Sequence, residues 1–325
     1  MSSEEESKLK RLLLGLLLVV IVLGAALGVQ AKTYTIGITQ IVEHPALDNA
    51  VDGFMQALAD AGLEVRYDRQ NAQGDMSTAL MIAQKFANSR VDLVLAVATP
   101  TAQAAANVIK DIPILITAVT DPESAGLVRS NSLSGTNVCG TSDLNPVDRQ
   151  LALFKQLNRP VSKVGVLYNA GETNSVVQVE MAKQEAKKLG LTLVEAAVSN
   201  SSEVYQAALS LVGRVDGIYV PTDNTVVSAF ESVAKVAADN NLPVITGEDN
   251  SVERGGLATV GIDYYRLGYQ TGEIAIRVLQ GEVRPHELPI EYQRDVRLVV
   301  NLKAAEEQGV NLPQSLVEQA DSVIK

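Results

Sequence analysis

The sequence predicts an α/β protein built from two doubly wound parallel-sheet lobes. The chain has 325 residues, and its strand-like apolar runs alternate with amphipathic helical patterns in two successive sets. At about 100–200 residues per domain, this length corresponds to two domains. Continuous Val, Ile and Leu runs separated by helices are typical of parallel strands that are covered on both faces.

The first set of elements begins just after residue 33. It comprises predicted strands at 34–39, 63–67, 91–97 and 113–118 and predicted helices at 46–61, 75–88 and 100–109. The nearly continuous apolar run VDLVLAV at 91–97 favours a central parallel strand. The stretch 130–145 is rich in Ser, Gly, Thr and Asn, which predicts a loop and the first crossover between the lobes.

The second set shows the same alternation of strands and helices. Its elements are predicted as helix 146–157, strand 163–168, helix 174–189, strand 191–195, helix 202–212, strand 216–220, helix 225–240, strands 243–246 and 257–261, and helix 264–280. Two sets of similar length indicate two domains of similar build.

The N-terminal segment is a separate feature. Residues 12–28 form an uncharged apolar run of 17 residues behind a polar start, and small residues flank Gln30. This layout is typical of a secretory signal peptide cleaved after Ala31. The alternative is an uncleaved membrane anchor, because the run approaches the length of a spanning helix. Either form predicts a periplasmic or other extracytoplasmic location for residues 32–325.

Composition excludes several classes of function. The net charge of −11 disfavours a nucleic-acid-binding protein. The single Cys139 cannot form an intramolecular disulfide or a multi-cysteine zinc site. The chain contains no G-x-S-x-G, P-loop, G-x-G-x-x-G or H-E-x-x-H motif. We therefore predict a protein that is not an enzyme and that has no cofactor and no metal.

Polar residues follow the predicted strands of both lobes. Ligands of open parallel sheets bind beyond the carboxyl ends of the strands. Acidic residues at these strand ends suit a polar ligand that carries an ammonium group between the lobes. Taken singly, each is better explained by capping or turn chemistry. The candidate partners of the ammonium are Asp121, Glu172, Asp223, Glu248 and Asp263.

Two further loops bear on a ligand site. Thr99 and Pro100 predict a helix N-terminus, whose free N–H groups suit a carboxylate. The alternative is a helix cap without a ligand. His44 lies in the loop between the first strand and helix, so it is a candidate for lining the cleft.

Several stretches together resemble one known family. They are QIVEHPALD at 40–48, NAQGD at 71–75, ATPTAQAA at 98–105, AVTDP at 118–122, YNAGETNS at 168–175, PTDNT at 221–225, GIDYYRLGYQTG at 261–272 and VVN at 299–301. The chain resembles the substrate-binding proteins of ABC importers, in the tryptophan/tyrosine-type branch. The resemblance implies a type I periplasmic-binding fold with a three-crossover hinge. Lobe 1 would comprise 32–142 plus 264–288, and lobe 2 would comprise 143–263 plus 289–325.

The resemblance also implies roles for individual residues. The α-carboxylate would lie at Thr99 and Thr101 of one lobe and at Asn174 and Ser175 of the other. The α-ammonium would lie near Asp223 and Asp263, supported by Asn224 and Glu172. Gln40 and His44 would border the pocket for the ligand side chain. Tyr168 and Tyr264 would stack on an aromatic ligand. The predicted site also includes the strand-end residues Asp121, Asn169 and Glu248.

The function implied is capture of an amino acid, expected to be aromatic (Trp, Tyr or Phe), and its delivery to an ABC permease with a cytoplasmic ATPase. Two alternatives stay open. One is a membrane-tethered ligand-sensing domain, and the other is a binding protein of the same fold for a sugar or another small solute. The strand-end loops contain neither Arg nor Trp, which makes the sugar alternative weaker.

Overall fold

The computed structural model describes residues 32–293 and 296–325 and contains two sheets. The predicted signal or anchor at residues 1–31 lies outside the described residues. Within the described part of the chain, no helix is long and apolar enough to cross a membrane. The prediction of an α/β protein with two parallel-sheet lobes is confirmed.

Lobe 1 is built around a six-stranded parallel sheet in the order β11-β5-β4-β3-β1-β2. Its strands are β1 (Tyr34–Gln40), β2 (Val65–Asn71), β3 (Leu93–Val97), β4 (Ile114–Val119), β5 (Val138–Ser142) and β11 (Glu291–Tyr292). Its helices are α1 (Pro45–Asp60), α2 (Met76–Ser89), α3 (Thr99–Val108) and α10 (Tyr264–Leu279). Every residue of β3 and β4 is buried, as continuous apolar runs predict for central strands.

Lobe 2 is built around a seven-stranded sheet in the order β13-β12-β10-β9-β8-β6-β7. Its strands are β6 (Lys163–Asn169), β7 (Thr192–Val198), β8 (Gly217–Val220), β9 (Val244–Thr246), β10 (Ala258–Gly261), β12 (Arg297–Asn301) and β13 (Ser322–Ile324). Its helices are α4 (Val147–Gln156), α5 (Thr173–Leu189), α6 (Val204–Leu211), α7 (Asn224–Ser228), α8 (Phe230–Asp239), α9 (Asp249–Glu253), α11 (Leu302–Glu307) and α12 (Gln314–Gln319). The β10–β12 pair is antiparallel.

The chain changes sheet three times. It leaves the first sheet after Ser142, returns to lobe 1 after Gly261, and enters the second sheet again at Arg297. Because β11 pairs with β5, residues 291–292 lie in lobe 1, whereas the sequence assigned 289–325 to lobe 2. We therefore propose that the last lobe boundary falls after Tyr292, and we keep the other proposed boundaries.

Four local predictions were wrong. The stretch 130–145 contains strand β5, whose Gly140 has a φ of 140° and packs against the backbone of Ile116. The predicted helix 225–240 is two helices separated at Ala229. Helix α3 begins at Thr99 with Ala98 as N-cap, one residue earlier than predicted. Strand β2 occupies Val65–Asn71 and not 63–67, because Gly62 and the residues after it complete the preceding turn.

Helices α1 and α10 pack backbone to backbone in lobe 1. A Cβ atom added at Gly268 would lie 1.8 Å from the carbonyl oxygen of Ala50, and one added at Gly53 would lie 2.0 Å from that of Tyr265. Glycine is therefore required at both crossing points for steric reasons. This contact fixes α1 relative to α10. Helix α1 begins after His44 and helix α10 begins after Asp263, and both helix starts face the other lobe.

The substitution Gly268→Ala tests this contact. Helix propensity alone would make alanine more stable than glycine by about 0.5–1 kcal/mol. We expect the opposite sign, a loss of about 1–3 kcal/mol in the free energy of unfolding, because the methyl group overpacks the crossing. Urea unfolding measures this value. The exposed Glu273→Ala on the same helix is the control and should stay within about 0.5 kcal/mol. A stabilised Gly268→Ala protein would show that the helices separate at little cost.

Candidate ligand-binding cleft

A narrow cavity of about 10 Å³ lies between the two lobes at the carboxyl ends of their strands. This volume is about that of one water molecule and lies far below the range for ligand pockets, about 300–1,000 Å³, so a ligand requires the lining to move apart. Lobe 1 and the first crossover contribute His44, Ala46, Leu47, Ala118, Asp143 and Tyr264, and lobe 2 contributes Asn174, Thr222, Asp223, Asn224, Val227 and Glu248. A ligand in this cavity contacts both lobes at once.

Three buried carboxylates line this cavity, those of Asp143, Asp223 and Glu248. No lysine or arginine among residues 32–293 and 296–325 lines it. Burial without a counter-charge disfavours the ionised form of a carboxyl group. Accordingly, burial is the largest cause that raises the pKa of each of these three groups.

Two of these carboxylates have their oxygens occupied. Asp143 accepts hydrogen bonds from the hydroxyls of Thr120 at 2.9 Å and Tyr264 at 2.7 Å. Asp223 accepts from the Ser175 hydroxyl at 2.6 Å and the Val226 N–H at 2.7 Å, and also from the Asn169 N–H. These bonds orient both side chains and leave them little capacity for a ligand.

Glu248 differs from the other two acids. Its Oε1 accepts from the N–H of Ser251 at 2.9 Å and from the hydroxyl of the same residue, whereas its Oε2 is buried and has no hydrogen-bond partner. Burial raises the pKa of Glu248 to about 7, and the Asp249 charge adds to this effect. Oε2 is therefore a free acceptor in the cavity.

His44 is the N-cap residue of α1 and is 7% exposed. Its ring does not cap the helix, and neither of its ring nitrogens has a hydrogen-bond partner. Burial, reinforced by the Arg254 charge, lowers the pKa of His44 to about 3, although the neighbouring Asn224 side chain opposes this shift. The ring is therefore neutral, with one N–H donor and one acceptor nitrogen.

A buried network in lobe 2 holds the amide residues of the cavity. The Glu172 carboxylate accepts from the N–H and the hydroxyl of Thr225, at 3.1 and 2.8 Å, and from the side-chain amides of Asn174 and Asn224. The Asn174 Nδ2 also donates to the Thr222 carbonyl at 3.0 Å, whereas its Oδ1 is buried without a partner. Asn174 thus offers a second free acceptor.

Comparison with known proteins identifies the family. Residues 35–324 match the family described as ABC transporter substrate binding protein. The chain is 48% identical over 287 residues to the tyrosine-binding protein of Clostridioides difficile (strain R20291), covering 86% of this chain and 83% of that protein. This chain belongs to the ABC transporter substrate-binding proteins. The resemblance read from the sequence is confirmed, and the family and its relatives are ligand-binding transport proteins.

Two solved structures bear on the arrangement of the lobes. An ABC domain from Streptococcus pneumonia in complex with L-Trp is 37% identical, with a TM-score of 0.87 and coverage of 90% of this chain and 100% of that one. The ligand-free, open structure of a substrate-binding protein from Clostridium difficile is 46% identical, yet its TM-score is 0.67, with coverage of 90% and 99%. The open structure has the higher sequence identity but the lower TM-score, which indicates that its lobes are arranged differently from those of this chain. The structure of this substrate-binding protein therefore corresponds to a closed form.

The structure brings several predicted residues of this substrate-binding protein together around the cavity. They are His44, Asn174, Asp223, Asn224, Glu248 and Tyr264. Asn169 and Glu172 line a wider space of about 550 Å³, which adjoins the cavity at Asn224. Ser175 contacts the site indirectly, through its hydrogen bond to Asp223.

Other predicted residues lie elsewhere and serve local structure. Gln40 donates to the Val42 carbonyl and to Asp48, both at 2.9 Å. The Tyr168 hydroxyl donates to Glu195 at 2.7 Å, and Tyr168 does not line the cavity.

Two predicted acids act as turn and cap residues of this substrate-binding protein. Asp121 accepts from Ser124 within its own turn and from Asn131, in the following loop, at 2.8 Å. Asp263 is the N-cap of α10 and lies 3.5 Å from Arg297. Neither lines the cavity.

The predicted carboxylate site at α3 is also absent from the cavity lining. The Thr101 hydroxyl donates to the Val97 carbonyl at 2.6 Å, and the Thr99 hydroxyl is buried without a partner. Sequence reasoning missed Asp143 and Thr222. Asp143 follows VCGTS at 138–142, so the search for polar residues after predicted strands finds it only once this segment is recognised as a strand.

The buried carboxylate of Glu248 predicts a pH-dependent stability in the ligand-free protein. Its pKa in the folded protein, about 7, exceeds the usual 4.5, so its stabilising contribution is full below pH 4.5 and is lost as the pH rises through 7. We expect Glu248→Gln to unfold at a higher temperature than wild type at pH 8, by a stability gain of about 1–3 kcal/mol. Scanning calorimetry should show this gain disappear at pH 5.

The exposed Glu253→Gln, on the short helix that Glu248 caps, is the matched control and should follow wild type at both pH values. A Glu248→Gln protein that is less stable than wild type at pH 8 would contradict the argument.

Proposed function

We propose that this substrate-binding protein captures a free aromatic L-amino acid, L-tyrosine first among the three, and presents it to an ABC permease. The observation that carries this proposal is the small cavity between the lobes, which has buried acceptors and no lysine or arginine in its described lining. Such a lining favours a ligand with an ammonium group. The relatives named for tyrosine and L-Trp support an aromatic side chain.

The apolar part of the lining supports the same ligand class. Leu47 and Val227 line the cavity from opposite lobes, and Ala46 and Ala118 also line it. The Tyr264 ring is 3% exposed and lines the cavity, where its offset contact with an aromatic ligand would add about 0.5–1.5 kcal/mol. We infer that this side of the cavity receives the ring of the ligand.

We further propose that the protein works without catalysing a reaction and acts outside the cytoplasmic membrane. Substrate-binding proteins of this family are extracytoplasmic, which supports export of this chain. Residues 12–28 would serve as its signal peptide or membrane anchor. A permease and its cytoplasmic ATPase would be its partners, as the transporter context of the family implies.

A thermal-shift screen against the twenty amino acids and common sugars tests the ligand class. A ligand at 100 times its dissociation constant stabilises the fold by about 2.7 kcal/mol, which raises the melting temperature by several degrees. We expect selective shifts with aromatic amino acids. A shift with a sugar alone would overturn the amino-acid proposal. Since the chain has no tryptophan, the fluorescence of bound L-Trp can be followed without protein indole signal.

Binding of the selected amino acid also tests whether the ligand contacts Asp263, which the sequence placed in the site and the structure places outside the cavity. Asp263 was an expected ammonium partner but caps α10 outside the cavity. We expect Asp263→Asn to bind the selected amino acid within about twofold of wild type, because no ligand contact is removed. If calorimetric titration shows that Asp263→Asn binds the amino acid tenfold or more weakly than wild type, Asp263 contacts the ligand and this expectation is wrong.

A further inference from the structure

Direct hydrogen bonds connect lobe 1 to helix α5 of lobe 2 at two points. Gln103, on α3 of lobe 1, donates from its Nε2 to the Thr173 hydroxyl at the start of α5, at 3.4 Å. Gln178, further along α5, donates from its Nε2 to the Thr120 hydroxyl of lobe 1 at 3.3 Å. We call these four residues the α5 seam. Both bonds join the lobes through protein atoms alone.

The α5 seam lies outside the cavity between the lobes. None of its four residues lines that cavity, and Gln103 is the member that lines the adjoining space of about 550 Å³. The bond between Gln103 and Thr173 therefore affects a ligand in the cavity through the arrangement of the lobes and not through contact.

Each donor of the seam is held in place by its own lobe. The Gln103 Nε2 also donates to the Ala125 carbonyl of lobe 1 at 3.1 Å. The Gln178 Oε1 accepts from the N–H of Thr222 in lobe 2 at 3.3 Å, and its Nε2 also donates to the hydroxyl of that residue. Both side chains are thus oriented before the lobes meet, which lowers the conformational entropy lost when the seam forms.

The burial of the seam determines how much it contributes to closure. Gln103 and Thr173 are half-buried, so water replaces their mutual bond when the lobes separate. Gln178 and Thr120 are buried in the closed form. A neutral hydrogen bond that exchanges with bonds to water changes an equilibrium constant by about two- to twelvefold. Each seam bond is therefore expected to change the ratio of closed to open protein by a factor of this size.

We propose that the α5 seam is a closure latch, whose two hydrogen bonds stabilise the closed form without a ligand and so set the ligand affinity from outside the site. The buried acids of the cavity act against this latch, because burial of a carboxylate without a counter-cation favours opening. The apparent Kd of a ligand equals its intrinsic Kd divided by the fraction of protein in the binding-competent form. Weakening the latch therefore weakens binding in proportion to the closed fraction that is lost.

Pulsed electron paramagnetic resonance on the ligand-free protein tests the latch directly. Spin labels are attached to cysteines introduced at exposed Asn88 of lobe 1 and exposed Gln184 of lobe 2, because the native Cys139 is buried. The populations of the two label distances give the ratio of closed to open protein. We expect Thr173→Val to lower this ratio about two- to twelvefold, since valine keeps the shape of threonine and removes the hydroxyl.

Three further variants isolate the bond between the lobes. Gln103→Met removes the other partner, so combining it with Thr173→Val should lower the ratio no further than Gln103→Met alone. Thr173→Ser keeps the hydroxyl and should keep the wild-type ratio. The exposed Thr192→Val, also in lobe 2, is the matched control and should keep the wild-type ratio as well.

Calorimetric titration with L-tyrosine gives the second readout, and this part of the test rests on the proposed function. Thr173→Val should raise the Kd by the same factor by which it lowers the ratio of closed to open protein. If the thermal-shift screen selects another amino acid, that amino acid replaces tyrosine. A higher Kd with an unchanged ratio would show that Thr173 acts on the ligand site itself, which contradicts the latch.

The outcomes separate the latch from the proposed function. The latch is wrong if the ligand-free wild-type protein shows the open distance alone, if Thr173→Val keeps the wild-type ratio, or if Thr192→Val lowers the ratio equally. It is also wrong if the effects of Gln103→Met and Thr173→Val add in full. If no amino acid binds while the variants change the ratio as expected, the proposed function is wrong and the latch stands.

Discussion

Burial of carboxylates without a counter-cation is the constraint on which this molecule depends. Asp143, Asp223 and Glu248 line one cavity, and no lysine or arginine of the described residues lines it. In the closed form this arrangement is unfavourable when the acids are ionised, and opening the cleft or binding a cationic group relieves it. Ligand recognition and lobe closure are therefore governed by the same electrostatic interaction.

The rigidity of each lobe makes that interaction effective. In lobe 1, the glycine crossing between α1 and α10 fixes the helix that begins after His44 relative to the helix that begins at Tyr264. In lobe 2, the Glu172 network fixes Asn174 and Asn224. The cavity groups thus move with their lobes as units, and the hinge lies where the chain passes between the sheets.

Much of the fold follows from periodicity, and the failures have local causes. Apolar runs of the type seen in β3 and β4 identify the central strands, because only a doubly covered parallel strand buries every residue. The strand β5 was missed because VCGTS is short and polar at its end. The break at Ala229 was missed because residues on both sides of it keep helical periodicity.

The sequence by itself determined the family, the two-lobe α/β class and the loops that carry the site, since strand periodicity and strand-end residues are local properties. Of the residues it predicted for the site, His44, Asn174, Asp223, Asn224, Glu248 and Tyr264 line the cavity between the lobes. Only the tertiary structure decided which acids are free. The Asp121 carboxylate accepts hydrogen bonds within its loop and the Asp263 carboxylate caps its helix, whereas Glu248 has one oxygen without a hydrogen-bond partner. The oxygens of Asp143 and Asp223 are occupied by partners distant in sequence, such as Tyr264 and Ser175, which no local pattern records.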